Sequence, residues 1–389
     1  MKFATPLFYL LLTSCATAKV TAFYQTPAVA GAPPGTLIAV EPYSPSLPGA
    51  AAYRVLYNST DIAGATIPVS GVVYIPLAPP PPAGRNIVAW AHPTSGVAQA
   101  CAPSLDDGGL GALNVTQSIP GLAAFIADGD IVAATDYPGL GAPGIHPYLI
   151  GDGEGRSIID SVRAARTLPG ADISGNYVVW GHSQGGQAAL FAGQIAKSYA
   201  PELKLVGVAA AAPPTNMNIE LTEAFHNDSG RVLAAYVYTT WAATYHVPLT
   251  SIVYPQAVPA VQRTVAHCIN SIGQAVDALL AASALNPVFR SENPNSTPPW
   301  PALLTENSPG AVAPGAPLLI VQGSADDTVE PHFTRSFAAA VCARHEVLDY
   351  QEFNTGHMTI AMDASAMVAG WIHDRFAGLK APDNCKGST

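Results

Sequence analysis

Apolar positions change rhythm along this chain, and each change predicts a different arrangement. Two strand-like runs, 53–57 and 70–75, stand either side of turn-forming residues and predict an antiparallel start. Residues 26–49 before them are rich in Pro and Gly and predict an irregular lead-in, while 79–82 is a proline-stiffened loop and not a linker between domains. From Asn86 strand and helix follow in turn: a strand at 86–91, a short helix at 122–127, a strand at 130–135, and a helix at 155–168 with Ile158, Ile159, Val162 and Ala165 at helical spacing. A strand at 177–180 follows, then a helix at 187–199 whose Ala188, Ala189 and Ala192 allow close approach to a sheet, then a buried strand at 203–211. Such alternation builds a mostly parallel sheet flanked by helices, the α/β class.

The alternation stops after Ala212. Helical apolar segments at 232–245 and 271–285 and a turn-rich stretch at 293–301 fill the gap, and the strand–helix rhythm resumes with 317–322, 331–341, 345–350 and a last helix at 363–376, for which Asp363 is a sensible N-cap. Parallel strands therefore recur on both sides of the interruption. One α/β domain made of 19–212 and 315–389, with a helical insertion at 213–314, accounts for this better than two tandem domains. The insertion is large enough to cap the mouth of the sheet; a helical subdomain without that role is the plainer alternative.

Composition narrows the classes. Hydrophobic residues make up 49% of the 389, ample for a core, and charged residues only 11%. No apolar run beyond the N-terminus has the length a bilayer demands. A net charge of -10 with no Lys/Arg cluster argues against a nucleic-acid partner. Residues 1–18 read as an export signal: Met1-Lys2, an apolar run from Phe3 to Leu12, and one of two endings. Ala16-Thr17-Ala18 would be cleaved for release, whereas Leu12-Thr13-Ser14-Cys15 resembles a bacterial lipobox and would anchor the chain at the surface through Cys15. Four cysteines then remain, an even number in an exported chain, which predicts disulfides and leaves three pairings open. No two of Cys101, Cys268, Cys342 and Cys385 are closely spaced, so metal binding is not expected.

The candidate chemistry lies at Val178-Val179-Trp180-Gly181-His182-Ser183-Gln184-Gly185-Gly186. Gly-x-Ser-x-Gly occurs by chance in a chain with 34 glycines, but here it joins an apolar strand to a small-residue helix. That is the setting of a nucleophile elbow, in which a strained turn exposes the serine and glycines on either side remove colliding side chains. A serine hydroxyl needs a histidine base and a carboxylate to orient it, in the chain order serine, acid, histidine. Of the ten histidines, His357 follows the last strand on the glycine-containing loop Asn354-Thr355-Gly356-His357-Met358; His332 and His345 open elements, and His373 lies within a helix. The acid belongs to Gln322-Gly323-Ser324-Ala325-Asp326-Asp327-Thr328-Val329. Asp326 is preferred for its Gly-x-x-Asp-x-x-Val spacing, with Asp327 as the alternative or as a turn or helix-capping residue. Asp136 also ends a strand, but lies upstream of Ser183 and reads as a loop brace with Tyr137-Pro138.

An oxyanion hole needs backbone N–H donors, one from the residue after the nucleophile, which assigns Gln184. The second should come from His92-Pro93-Thr94-Ser95-Gly96; Pro93 has no N–H, so Thr94 is chosen, with Ser95 behind it. The side chains of His182 and Gln184 are expected to point away from the substrate.

These segments, together with Asp136-Tyr137-Pro138-Gly139-Leu140-Gly141 and Gly356-His357, resemble the secretory lipase family, of the Candida antarctica lipase A type, over most of the mature chain. The resemblance implies an α/β-hydrolase core with a large helical lid before the acid-bearing strand, activity on carboxylic esters including lipids, and disulfides pairing Cys101 with Cys268 and Cys342 with Cys385. Pro93 stands where His-Gly is usual in the commoner oxyanion motif, which leaves the donor open. The expected protein is a secreted or surface-anchored serine esterase or lipase needing no cofactor or metal, its partner a small-molecule or lipid ester, with lipid-interface contact through the cap. Rival readings are a peptidase of the same fold, which would use the same triad, and a non-catalytic surface protein. Tyr236, Tyr238, Trp241 and Tyr245 either line a hydrophobic substrate site or form the packed core of the insertion. Acyl-chain length and oligomeric state are not legible.

Overall fold

Nine strands line up in one sheet among the described residues of this computed structural model, which are 20–44, 47–105, 118–224, 228–282, 285, 288–290 and 293–385. The expected export signal at 1–18, with Cys15, lies outside them. The strands are β1 (Leu37–Pro42), β2 (Ala50–Thr60), β3 (Thr66–Pro76), β4 (Arg85–Ala91), β5 (Ile131–Thr135), β6 (Ile173–His182), β7 (Lys204–Ala211), β8 (Leu318–Gly323) and β9 (Leu348–Phe353). Their order across the sheet is β1-β2-β3-β5-β4-β6-β7-β8-β9. β1, β2, β3 and β5 pair antiparallel, and every pairing from β5 through β9 is parallel.

Helix α1 (Leu122–Ala127) precedes β5, α2 (Gly151–Ala165) joins β5 to β6, and α3 (Gln184–Tyr199) joins β6 to β7. Between β7 and β8 lie α4 (Met217–Ala224), α5 (Asp228–Thr244), α6 (Val258–Val265), α7 (Ile272–Ala282) and α8 (Trp300–Glu306). α9 (Pro331–Ala343) joins β8 to β9, and α10 (Ile360–Asp363) and α11 (Ser365–Phe376) close the fold. No described helix is long and apolar enough to cross a membrane.

The near-continuous apolar runs of the central strands follow from burial on both faces. Successive side chains of a strand point to opposite sides, so Ile87 and Ala89 of β4 with Tyr177 and Val179 of β6 pack under α2 and α3, while Val88, Trp90, Val178 and Trp180 pack toward α1 and α11. Each fully buried aliphatic side chain contributes roughly 1.5–3 kcal/mol. A third apolar cluster belongs to the segment between β7 and β8, where Tyr236, Trp241 and Trp300 pack with Tyr148, Leu149 and Ile150 from the loop after β5.

Several elements differ from the sequence expectation. The lead-in at 26–49 contains β1, an edge strand that among the described residues pairs with β2 alone and is half-buried, so it needs little apolar patterning. α2 starts at Gly151, ahead of Ile158; Gly151, Gly153 and Gly155 are poor helix formers that hide its first turn. The strand expected at 345–350 is β9, and His345 instead sits in the preceding turn with φ +60°. Asp363 is not an N-cap: it ends α10, and its carboxylate accepts the hydroxyl of Thr355.

Candidate active site

β6 ends at His182 and α3 begins at Gln184, so Ser183 takes the whole change of direction and adopts φ 56°, ψ −120°. An L-residue seldom holds such a conformation unless its surroundings impose it. They do: Ser183 N–H donates to Ala211 O at 2.9 Å, tying the turn to β7. A Cβ on Gly181 would fall 2.0 Å from Gly185 O, and one on Gly185 would fall 1.9 Å from Ala91 O. Only glycine fits at these two positions of Gly-x-Ser-x-Gly.

Ser183 Oγ lies 2.8 Å from His357 Nε2, and His357 Nδ1 lies 2.8 Å from Asp326 Oδ2. The three residues stand on loops after β6, β9 and β8, 174 and 31 residues apart along these two bonds. Asp326 is buried, and its other contacts fix it: Oδ1 accepts the N–H groups of Thr328 and Val329 at 2.9 Å each, and Oδ2 accepts Gln322 Nε2 at 3.1 Å. Burial opposes ionisation of Asp326, yet the hydrogen bond and charge attraction of His357, with those two N–H groups, outweigh it and hold the carboxyl below its usual 3.8. Asp327 is exposed and makes no contact with His357. Asp136 is occupied elsewhere, accepting Ser70 Oγ and both the N–H and hydroxyl of Ser104.

The N–H groups of Gln184 and Thr94 have no acceptor among the described residues. Thr94 stands on the pocket wall beside Ser183, whereas Ser95 is fully buried and off it. The side chain of Gln184 turns away from the pocket, donating to Glu154 Oε1 at 2.6 Å and to His146 Nε2 at 3.0 Å. Burial pushes Glu154 up to about 8 and lowers His146 to about 3, so both are neutral near pH 7. His182 does not simply point away. Its Nε2 bonds the carbonyl of His357 at 2.9 Å, and its ring borders the pocket. Burial and the neighbouring His357 lower His182 to about 3, which keeps it a neutral donor to that carbonyl.

A pocket of about 310 Å3 opens on Ser183. Pro93, Thr94, His182, His357, Thr328 and Met358 form one side; Val232 and Leu233 of α5, Ile269, and Ala275, Ala278 and Leu279 of α7 form the other. Tyr236, Tyr238, Trp241 and Tyr245 are not in its wall. Trp241 Nε1 donates to Tyr148 O at 2.7 Å, and the three phenols bond His267 O, Asn295 and Asn307, so these residues are the packed core of the segment. Cys101 is bonded to Cys268, joining the loop after β4 to the segment that carries α7, and Cys342 to Cys385. Glu223, Glu330 and His332 could converge on a cation, but they lie outside the pocket wall and two of them are exposed.

The family described as Secretory lipase matches residues 112–384. The chain belongs to the secretory lipase family. Lipase A of Arthroderma benhamiae is 25% identical over 362 residues, covering 87% of this chain and 74% of that protein. A probable inactive lipase of Mycobacterium tuberculosis is 23% identical, covering 86% and 75%. The structure of Candida antarctica lipase A in its closed state superposes with a TM-score of 0.77 at 20% identity, over 93% of this chain and 87% of that one. This secretory lipase is a carboxylic-ester hydrolase with an α/β-hydrolase fold.

Sequence reasoning passed over three residues that this lipase packs against Asp326 and Gln184: Gln322, Glu154 and His146. Gln322 offered a signal, a polar residue ending an apolar strand. Glu154 and His146 offered none, because the partner that gives them meaning, Gln184, lies 30 and 38 residues away.

Proposed function

We propose that Ser183 is the nucleophile of the ester hydrolysis, with His357 as base and Asp326 as its orienting acid. The hydrogen-bonded series Ser183–His357–Asp326 carries this reading. As Ser183 Oγ attacks the ester carbonyl, its proton passes to His357 Nε2; Asp326 holds the tautomer with the proton on Nδ1 and stabilises the imidazolium. The carbonyl oxygen, now an anion, accepts the N–H groups of Gln184 and Thr94. His357 returns its proton to the departing alcohol, leaving an acyl-Ser183; water, deprotonated by the same imidazole, then releases the acid and restores the serine. No metal or cofactor takes part in this scheme.

The segment between β7 and β8 acts as the cap that receives the apolar part of the ester, supported by the aliphatic wall that α5 and α7 give the pocket. α7 is apolar on both sides: Ala275, Ala278 and Leu279 line the pocket, while Val276 and Leu280 are exposed and suit contact with a lipid surface. We take the product to be exported, with release or anchoring through Cys15 decided by the mass of the mature protein. A fluorophosphonate probe tests the reading directly: it should label Ser183 in the native protein, and labelling elsewhere or not at all would return it to a non-catalytic role.

A further inference from the structure

Thr94 lines the pocket, and its hydroxyl has one hydrogen-bond partner among the described residues, the phenol of Tyr148, with the two oxygens 2.9 Å apart. Either oxygen could donate, and burial decides between them. Tyr148 is 2% exposed, and among the described residues Thr94 Oγ1 is the one acceptor its hydroxyl meets. If Thr94 donated instead, the phenol proton would be buried without a partner, the costly alternative. Tyr148 therefore donates to Thr94, and burial keeps the phenol protonated by raising it well above 10. A hydroxyl that accepts through a lone pair still owns its proton. The Thr94 proton then has no acceptor among the described residues, at a residue that lines the same pocket as Ser183.

We propose that Thr94 Oγ1 is a third, side-chain donor to the ester oxyanion, in addition to the N–H groups of Gln184 and Thr94. Tyr148 is its positioning residue: it fixes the rotamer and, by donating to Oγ1, makes the outgoing O–H a stronger donor. Tyr148 is itself anchored, since Trp241 Nε1 of α5 donates to its carbonyl at 2.7 Å and Tyr236 packs edge-on against its ring at 5.8 Å. The oxyanion donor thus depends on the segment between β7 and β8. This inference rests on Ser183 being the nucleophile.

Thr94→Val keeps size and the backbone N–H but deletes the hydroxyl, Thr94→Ser keeps the hydroxyl, and Tyr148→Phe deletes the phenol. With a soluble p-nitrophenyl ester, Thr94→Val should lower kcat roughly a hundredfold with KM little changed, and should weaken a trifluoromethyl ketone inhibitor in proportion. Thr94→Ser should stay within a few-fold of wild type, roughly as a retained donor predicts. Tyr148→Phe should lower kcat about tenfold alone and have no further effect in the Thr94→Val background, the non-additivity of one shared device. A folded Thr94→Val enzyme with wild-type kcat overturns the proposal, as does a Tyr148→Phe effect that survives undiminished in the valine background. Ser183→Ala run beside them separates the two claims: if it stays active the nucleophile is wrong, and if it is dead while Thr94→Val is unaffected only the third donor is wrong.

Discussion

The side-chain amide of Gln184 donates to Glu154 Oε1 at 2.6 Å, so the residue that follows Ser183 is fastened to a carboxyl buried in α2. Burial raises that carboxyl to about 8 from its ordinary 4.5. Between those values the folded chain keeps a proton that the unfolded chain has lost, so this group's contribution to stability is full below about pH 4.5 and is lost as pH rises through about 8. Glu154→Gln removes the titration while keeping the shape. The melting temperature of the variant relative to wild type should climb between about pH 4.5 and about pH 8 and level off above, as the linkage requires. A difference that stays flat with pH would show that Glu154 is not held neutral.

Asp326 and Asp327 are neighbours in sequence, but only Asp326 meets His357. Asp326→Asn should cost kcat roughly 10^4-fold, because an amide favours the wrong imidazole tautomer. Asp327→Asn should leave kcat within a few-fold, roughly as expected of an exposed side chain. Steady-state rates of both purified variants on one ester check this, and the opposite ranking would reassign the acid.

Gly185→Ala would drive a Cβ to 1.9 Å from the carbonyl of Ala91, a backbone atom of β4 that cannot swing aside. Unfolding in urea should show a loss of about 3 kcal/mol or an inability to fold. A variant as stable as wild type would mean that the elbow is looser than its backbone suggests.

The two disulfides should separate in both stability and activity. Cys101–Cys268 closes 167 residues and Cys342–Cys385 closes 43, which by loop-closure entropy are worth about 5 and about 4 kcal/mol. Replacing the first pair by serine should also weaken hydrolysis, since it joins the Thr94 loop to the segment bearing α7, while replacing the second should spare kcat. Denaturant midpoints and ester kinetics of the two double variants measure this, and equal losses of kcat would contradict it.

Much of this arrangement is local in sequence and was legible there. Gly181 and Gly185 flank Ser183 at a strand-to-helix junction because the backbones of β4 and α3 leave no room for a side chain, a constraint written into five consecutive residues. His357 and Asp326 were chosen as partners of Ser183 by chain order and by the loops after β9 and β8, and the three side chains are hydrogen-bonded in series. What stayed hidden is what depends on distant packing. His182 grips the loop of His357 across 175 residues, and Tyr148 meets Thr94 across 54, pairings that no local pattern encodes. β1 escaped notice because a half-buried edge strand needs no apolar run. The aromatic residues of α5 and Tyr245 just beyond it were ambiguous for a related reason: apolar character alone does not distinguish a pocket wall from a core, and only their bonds to Tyr148, His267, Asn295 and Asn307 assign them to the core.

The most direct test of the account is the hydrolysis of a short p-nitrophenyl ester by purified, correctly folded Ser183→Ala. The serine placed 2.8 Å from His357 should be indispensable, so the variant is expected to lose about 10^5- to 10^6-fold in kcat. A variant that keeps its rate would contradict the assignment of Ser183.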